Sequence, residues 1–246
     1  MNASTLNLPH ALPATPSAHR SRALGGLLIA DALLSLAPLA ILGAAIGWPA
    51  SLDAPASEQL SAIAAAPGAL ALGYGLYLLY SILVAPVMIG LAARTLGGLQ
   101  HPLAATVAAF AVLSALARSI GILRWLTVMP ALATAHGAAD PAARAQIEML
   151  FDALTTYGGG IGEILGVSLF MAASVGTLCV ATLTRGGLPK SLSLLGLVSA
   201  ILLAGLALPS LGLAVEVPVA LAVSVLSLWM LVCGIWCLRS QDHRKD

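Results

Sequence analysis

The chain has 246 residues, of which 59% are hydrophobic and 9% charged, too few polar groups to coat a water-soluble globule. A net charge of +1, with no basic tract and no interleaving of aromatic and basic residues, argues against nucleic acid as a partner. What remains is a protein solvated by lipid, its apolar residues gathered into six runs with short connections.

Residues 1–22, carrying Pro9, Pro13 and Pro16 and no apolar period, predict a disordered cytoplasmic tail. The first apolar run, Ala23–Gly47, follows Arg20 and Arg22. It exceeds the ~7–15 residues of a signal-peptide core, so it reads as a span and not as a cleaved leader. Gly68–Leu96, Leu103–Leu123, Ile161–Thr184, Leu192–Val215 and Val217–Leu238 follow. Each is near or above the ~20 residues that a helix needs to cross ~30 Å of hydrocarbon. The predicted fold is an all-α membrane protein, a six-transmembrane-helix bundle over residues 23–238 with residues 239–246 as a second cytoplasmic tail. Pro38, Pro86 and Pro209 lie inside runs and predict kinks.

The connections carry structure as well. Ser57–Ala66 predicts a short helix. Asp140 caps a longer one with Pro141 at its first position, and Ile147, Leu150, Phe151 and Leu154 recur on one face, with Arg144, Glu148 and Asp152 elsewhere. This is an amphipathic helix in the second external loop, lying on the membrane surface or capping the bundle. Gly158, Gly162 and Gly166, and on a smaller scale Gly43 and Gly47, are spaced to make smooth helix-packing faces.

Cations are sorted by side. Arg20, Arg22, Arg94, Arg185, Lys190, Arg239, Arg244 and Lys245 fall at one end of the runs, whereas the opposite loops hold Arg144 among Asp53, Glu58, Asp140, Glu148, Asp152 and Glu216. The positive-inside rule then places both termini in the cytoplasm, as an even number of crossings requires. Nine arginines against two lysines, with abundant alanine, suggest a GC-rich bacterial genome, and the expected compartment is a bacterial inner membrane.

Charge inside a bilayer costs ~2.5–3.5 kcal/mol per residue, so intramembrane ionisable groups mark the places where the chain does something specific. Counting ~1.5 Å per residue from the cytoplasmic end puts Arg124 and Glu163 at matched depth near the outer boundary, Arg118 about 11 Å further in, and Asp31 in the cytoplasmic half. Matched depth permits an ion pair between Arg124 and Glu163; the alternative is Arg124 reaching the headgroups beside an interfacial Trp125. Tyr74, Tyr77 and Tyr80 descend the second run, and Tyr157 stands outside the fourth. Together these residues predict an outward-opening cavity for a small ligand with an anionic or hydrogen-bonding head and an apolar body. Its binding candidates are Tyr77, Tyr80, Arg118, Arg124, Trp125 and Glu163. The plainer alternative is an aromatic belt with one structural salt bridge. Asp31, with Ser35 one turn on, is a candidate proton site.

Other chemistry lacks its residues. None of the five histidines lies within a run, which removes the ligands for a buried haem or histidine-held metal, and no intramembrane lysine is present for a Schiff base. Ser168 has no base to activate it, and there is no phosphate-binding glycine loop. Cys179, Cys233 and Cys237 read as small apolar packing residues. The reading therefore requires no metal and no cofactor, and catalysis is disfavoured.

Arg124-Trp125, Pro130, Leu132-Ala133, Phe151, Tyr157-Gly158 and Gly162-Glu163 with Leu165-Gly166 resemble a bacterial membrane family catalogued as domain of unknown function 4386. The turn Arg185-Gly186-Gly187-Leu188-Pro189-Lys190 leading into Leu194-Leu195-Gly196 is similar to the connection between that family's fourth and fifth spans. The likeness covers most of residues 20–240 and implies a fold and a location, with no established activity. Ile164 stands where many relatives carry a histidine, which weighs against any role built on a Glu-His pair. Two functional classes remain: a protein that binds or transports a ligand in the outer cavity, and a regulatory or scaffolding subunit whose charges are structural.

Overall fold

The computed structural model describes residues 18–240, and among these residues the chain is helical with no strand. Most of the two predicted tails lies outside that range; residues 18–22 already belong to the first helix. The helices are α1 (Ala18–Leu34), α2 (Leu36–Ile46), α3 (Ala56–Ala65), α4 (Pro67–Thr95), α5 (Pro102–Leu126), α6 (Val128–Ala138), α7 (Pro141–Gly159), α8 (Met171–Arg185), α9 (Lys190–Gly205) and α10 (Val219–Arg239). A π-helical stretch, Gly160–Phe170, joins α7 to α8 without interruption.

Five helical stretches are long and apolar enough to cross a bilayer: Ser21–Ile46, Pro67–Thr95, Pro102–Ala138, Pro141–Arg185 and Val219–Arg239. The predicted fifth span, Leu192–Val215, is not one of them. Its helix, α9, stops at Gly205 after 16 residues, roughly 24 Å and short of the ~30 Å hydrocarbon core. Pro209 ends the helix instead of kinking it: the chain turns through Pro209–Leu211, passes Gly212 at φ 80°, and stays irregular to Pro218.

The first span also departs from a simple rod. Pro38 lacks an N–H, and its ring crowds the carbonyl of Leu34, where α1 ends. Ser35 sits at the break, its hydroxyl donating to the Ala32 carbonyl at 2.7 Å and pairing with Ser227 of α10 at 3.0 Å. Pro86, by contrast, sits within an unbroken α4. Gly47 proves to be the left-handed cap of α2 (φ 70°), and a Cβ there would meet nothing within 4 Å. The expected Gly43–Gly47 packing face is therefore a helix terminus.

The predicted loop helix begins as expected at its N-terminus. Asp140 Oδ1 accepts from the Ala143 N–H at 2.9 Å, with Pro141 at the first helical position. It is not a separate element, however, because α7 runs straight into the fourth span. Its Phe151 is buried against Trp125 while Leu150 is exposed. With α3 and α6 it forms a cap over one end of the bundle, and Gln59 Nε2 ties the approach to α3 through the carbonyls of Leu52 (3.2 Å) and Ala54 (2.7 Å). A His136–Glu148 contact of 2.8 Å joins α6 to α7.

Packing is organised in two cores. The cap core joins Leu42, Leu60, Ile63, Met129 and Phe151 to Tyr74 and Trp125. The larger core fills the opposite half around Met88, Met171, Trp229 and Cys233. There Gly25 of α1 meets Gly234 of α10, so closely that a Cβ on either would lie 2.9 Å from the other's carbonyl oxygen. At the far end Arg94 holds α1 and α10 together by donating to Ser21 and Ser240 while its guanidinium lies 5.0 Å from the centre of the Trp236 ring. Cys179, Cys233 and Cys237 are buried. Cys179 packs against Gly196.

Candidate functional site

The site is built where α4, α5 and the π-helical stretch meet below the cap. Gly158, Gly162 and Gly166 turn toward α5, which answers with Arg124, Gly121 and Arg118. A Cβ on Gly121 would sit 2.8 Å from the Gly162 Cα, one on Gly158 would sit 2.8 Å from Arg124 Cδ, and one on Gly166 would sit 2.6 Å from Arg118 Cγ. Absent side chains on one helix thus make room for two arginine stems on the other. Ser114 of α5 locks the crossing by donating to the Gly166 carbonyl at 2.7 Å, and Ser168 donates to Leu203 of α9 at 2.6 Å.

The π geometry of Gly160–Phe170 has a direct consequence for Glu163. Such stretches are uncommon and widen the helix, changing the direction of side chains relative to an α-helix. Glu163 is exposed at the edge of the cleft. It makes no salt bridge with Arg124 within 4.0 Å, the one ion pair among the described residues being His136–Glu148. Arg124 does not extend away from the bundle either. Half-buried, it donates from Nη1 to the Gly121 carbonyl at 2.9 Å and lies 5.3 Å from the centre of the Trp125 ring. Because the ions share a cleft without touching, Arg124→Gln and Glu163→Gln should be nearly additive in thermal unfolding. The expected coupling is below ~1 kcal/mol, against the ~3–5 kcal/mol lost on breaking a buried pair, and a double-mutant cycle measures it directly.

Arg118 is placed differently. It is 2% exposed, its guanidinium stacks on Tyr80 at 4.6 Å from the ring centre, and it lines the inner part of the cleft. Nε and Nη1 have no hydrogen-bond partner among the described residues, nor do the buried Tyr74 and Tyr80 hydroxyls. The lining also includes Trp48, Tyr74, Tyr77, Trp125 and Glu163. Tyr74 stacks on Trp125 at 5.0 Å with planes 3° apart, and Trp48 stands edge-on to Tyr77 at 6.0 Å. Tyr80 underlies Arg118 and is buried. Tyr157 is 72% exposed and is absent from the lining. Trp48 is the member that sequence spacing misses: it lies in a connection, and only the seating of α2 against α4 brings it to Tyr77.

The cleft encloses about 40 Å³. A water needs ~10–15 Å³ of such space and a drug-sized ligand ~300 Å³ or more, so this cleft fits a few waters or one small polar head and has no room for an apolar body. With two guanidinium groups against the single carboxylate of Glu163, its ionised lining favours an anion.

Asp31 lies apart, fully buried on α1, with neither carboxyl oxygen hydrogen-bonded among the described residues. No salt bridge within 4.0 Å joins it to Arg118.

Several long apolar helices, a cap on one end and ionisable groups turned inward define a multi-pass helical membrane protein. Its family is the one that the sequence resembles: the chain belongs to the domain of unknown function family DUF4386, whose model matches residues 23–234. No curated protein and no solved structure matches the chain.

Proposed function

We propose that the protein binds a small anion, or the anionic head of an amphipathic ligand, in the cleft between α4, α5 and the π-helical stretch. The observation that carries this reading is Arg118, a buried guanidinium that faces the cleft with donors unused by the described residues. A charge held this way adds little to stability and remains free to bind. Arg124 and Glu163 stand toward the edge, where a cation and an acid select and orient the entering group. Tyr77 and Trp125 form aromatic walls, with Tyr80 supporting Arg118. In the bilayer the cap end is the external one, the termini are cytoplasmic, and α9 together with residues 206–218 completes a sixth crossing of a bacterial inner membrane. The sorting of cations supports that orientation.

Titration of the purified protein with nitrate, a planar anion suited to a guanidinium, tests the site. Saturable binding should vanish in Arg118→Met while the melting temperature stays close to wild type. The second reading, a scaffolding subunit with a structural arginine, is favoured by the small cleft volume. It requires Arg118→Met to melt well below wild type and nitrate to bind neither protein. Orientation is tested separately in intact cells. Ser57→Cys and Ala142→Cys, at half-exposed and exposed positions of the cap, should react with an impermeant thiol reagent. Protection of both would invert the topology.

A further inference from the structure

We infer that anion binding at Arg118 is linked to protonation of Asp31, so that the cleft takes up an anion and a proton together. The inference rests on the cleft being an anion site, and it concerns a carboxyl that is not part of the cleft lining. Asp31 and Arg118 belong to different helices, α1 and α5, with α4 packed against both. Each is almost entirely removed from solvent, at 0% and 2% exposure, and each keeps polar atoms without a hydrogen-bond partner among the described residues. Arg118 stacks on Tyr80, 4.6 Å from its ring centre, about one helical turn along α4 from the level of Asp31, and no salt bridge within 4.0 Å joins the two.

The surroundings of Asp31 leave Arg118 as its counter-charge. Gly90 meets Leu24 and Gly73 meets Leu42, an antiparallel register that sets Asp31 level with the part of α4 between Ser81 and Val84. At that level α4 offers the Ser81 hydroxyl, buried and without a partner among the described residues, and the Tyr80 hydroxyl. On α10 the titratable groups are Cys233 and Cys237, displaced toward the Arg94 end, with Arg239 beyond them. Helix α2 brings no titratable group. Arg94 and Arg22 lie further toward the same end, and Arg94 is engaged by Ser21, Ser240 and Trp236.

In a low-dielectric site one guanidinium balances one negative charge; a second negative charge is left uncompensated, at the large cost of any unpaired buried ion. Asp31 and the ligand therefore compete. With the cleft empty of anion, an ionised Asp31 neutralises Arg118. When an anion occupies the cleft, Asp31 takes a proton from bulk water. The one bond formed is the O–H of that carboxylic acid; nothing is oxidised or reduced, and anion plus proton add no net charge.

The test uses the purified full-length chain in weakly buffered detergent solution, with nitrate as the probe because it carries no proton of its own between about pH 5 and about pH 9. Saturation should draw in close to one proton per nitrate, read with a pH-indicator dye. Nitrate affinity should fall by up to roughly tenfold per pH unit once Asp31 ionises. Asp31→Asn, an isosteric change at a carboxyl with no hydrogen bonds to lose, should bind nitrate with pH-independent affinity and no proton uptake. Binding that depends on Arg118 but shows the same affinity across the pH range overturns the linkage and leaves the anion site standing. Proton uptake that persists in Asp31→Asn removes Asp31 from the account. If nitrate binds at no pH, the anion site and the linkage fall together.

Discussion

Gly121→Leu should unfold the protein in detergent far below the wild-type melting temperature, a loss of about 3 kcal/mol or more. Helix α5 touches the π-helical stretch backbone to backbone at this point, and a Cβ on Gly121 would fall 2.8 Å from the Gly162 Cα and 2.9 Å from the Gly158 carbonyl oxygen. Neither obstacle is a side chain that can rotate away. Relief therefore requires the two helices to separate, which also breaks the Ser114–Gly166 bond and disturbs the beds of Arg118 and Arg124. Without a hydrophobic drive between helices in lipid, close packing of this kind is what holds spans together. Gly75→Leu is the control: a Cβ there meets nothing within 4 Å, so its melting temperature should stay near wild type. Equal melting of Gly121→Leu and wild type would show that this crossing is not close.

Trp229→Ala should be comparably damaging, at about 3–5 kcal/mol, while Trp229→Phe should lose about 1 kcal/mol. Trp229 is fully buried at the centre of the larger core, and its indole N–H donates to the Leu192 carbonyl in the first turn of α9 at 2.9 Å. Gly196 passes so close that a Cβ would come 2.7 Å from the indole nitrogen. Truncation to alanine opens a void on which α9 rests and strands a buried carbonyl; phenylalanine keeps most of the volume and loses the hydrogen bond. Thermal unfolding of both variants, with retained expression, distinguishes these losses, and a Trp229→Ala protein as stable as Trp229→Phe would remove the void from the explanation.

Much of the fold is legible in the amino-acid sequence, because lipid leaves a chain few options. Backbone polar groups must be satisfied within the segment, so long apolar runs become helices, and prolines, caps and glycines mark their ends. The boundaries of α3, the Asp140–Pro141 start of α7 and the inward placement of Arg118 rest on such local rules. The proline rule itself is ambiguous. Pro38 splits a span, Pro86 is absorbed and Pro209 ends a helix, since the outcome depends on what packs around each break; beside Pro38 the Ser35 hydroxyl bonds Ala32 and Ser227, and the position of Ser227 is set by α10.

What the tertiary structure decided is the relation between helices. Matched depth brings Arg124 and Glu163 to one cleft, but depth says nothing of the rotation of a helix about its axis, and the π-helical stretch directs Glu163 to the edge. Sequence spacing identifies Gly158, Gly162 and Gly166 as a smooth face; that Arg118, Gly121 and Arg124 fill it depends on the register of α5. The approach of Asp31 to Arg118 and the insertion of Trp48 beside Tyr77 depend in the same way on packing between elements distant in sequence. Hydropathy marks which segments favour the hydrocarbon, a sum of local transfer energies, but α9 stops after 16 residues within a run long enough to cross. Which polar groups meet there is determined by close packing, a property of pairs of helices and of no single segment.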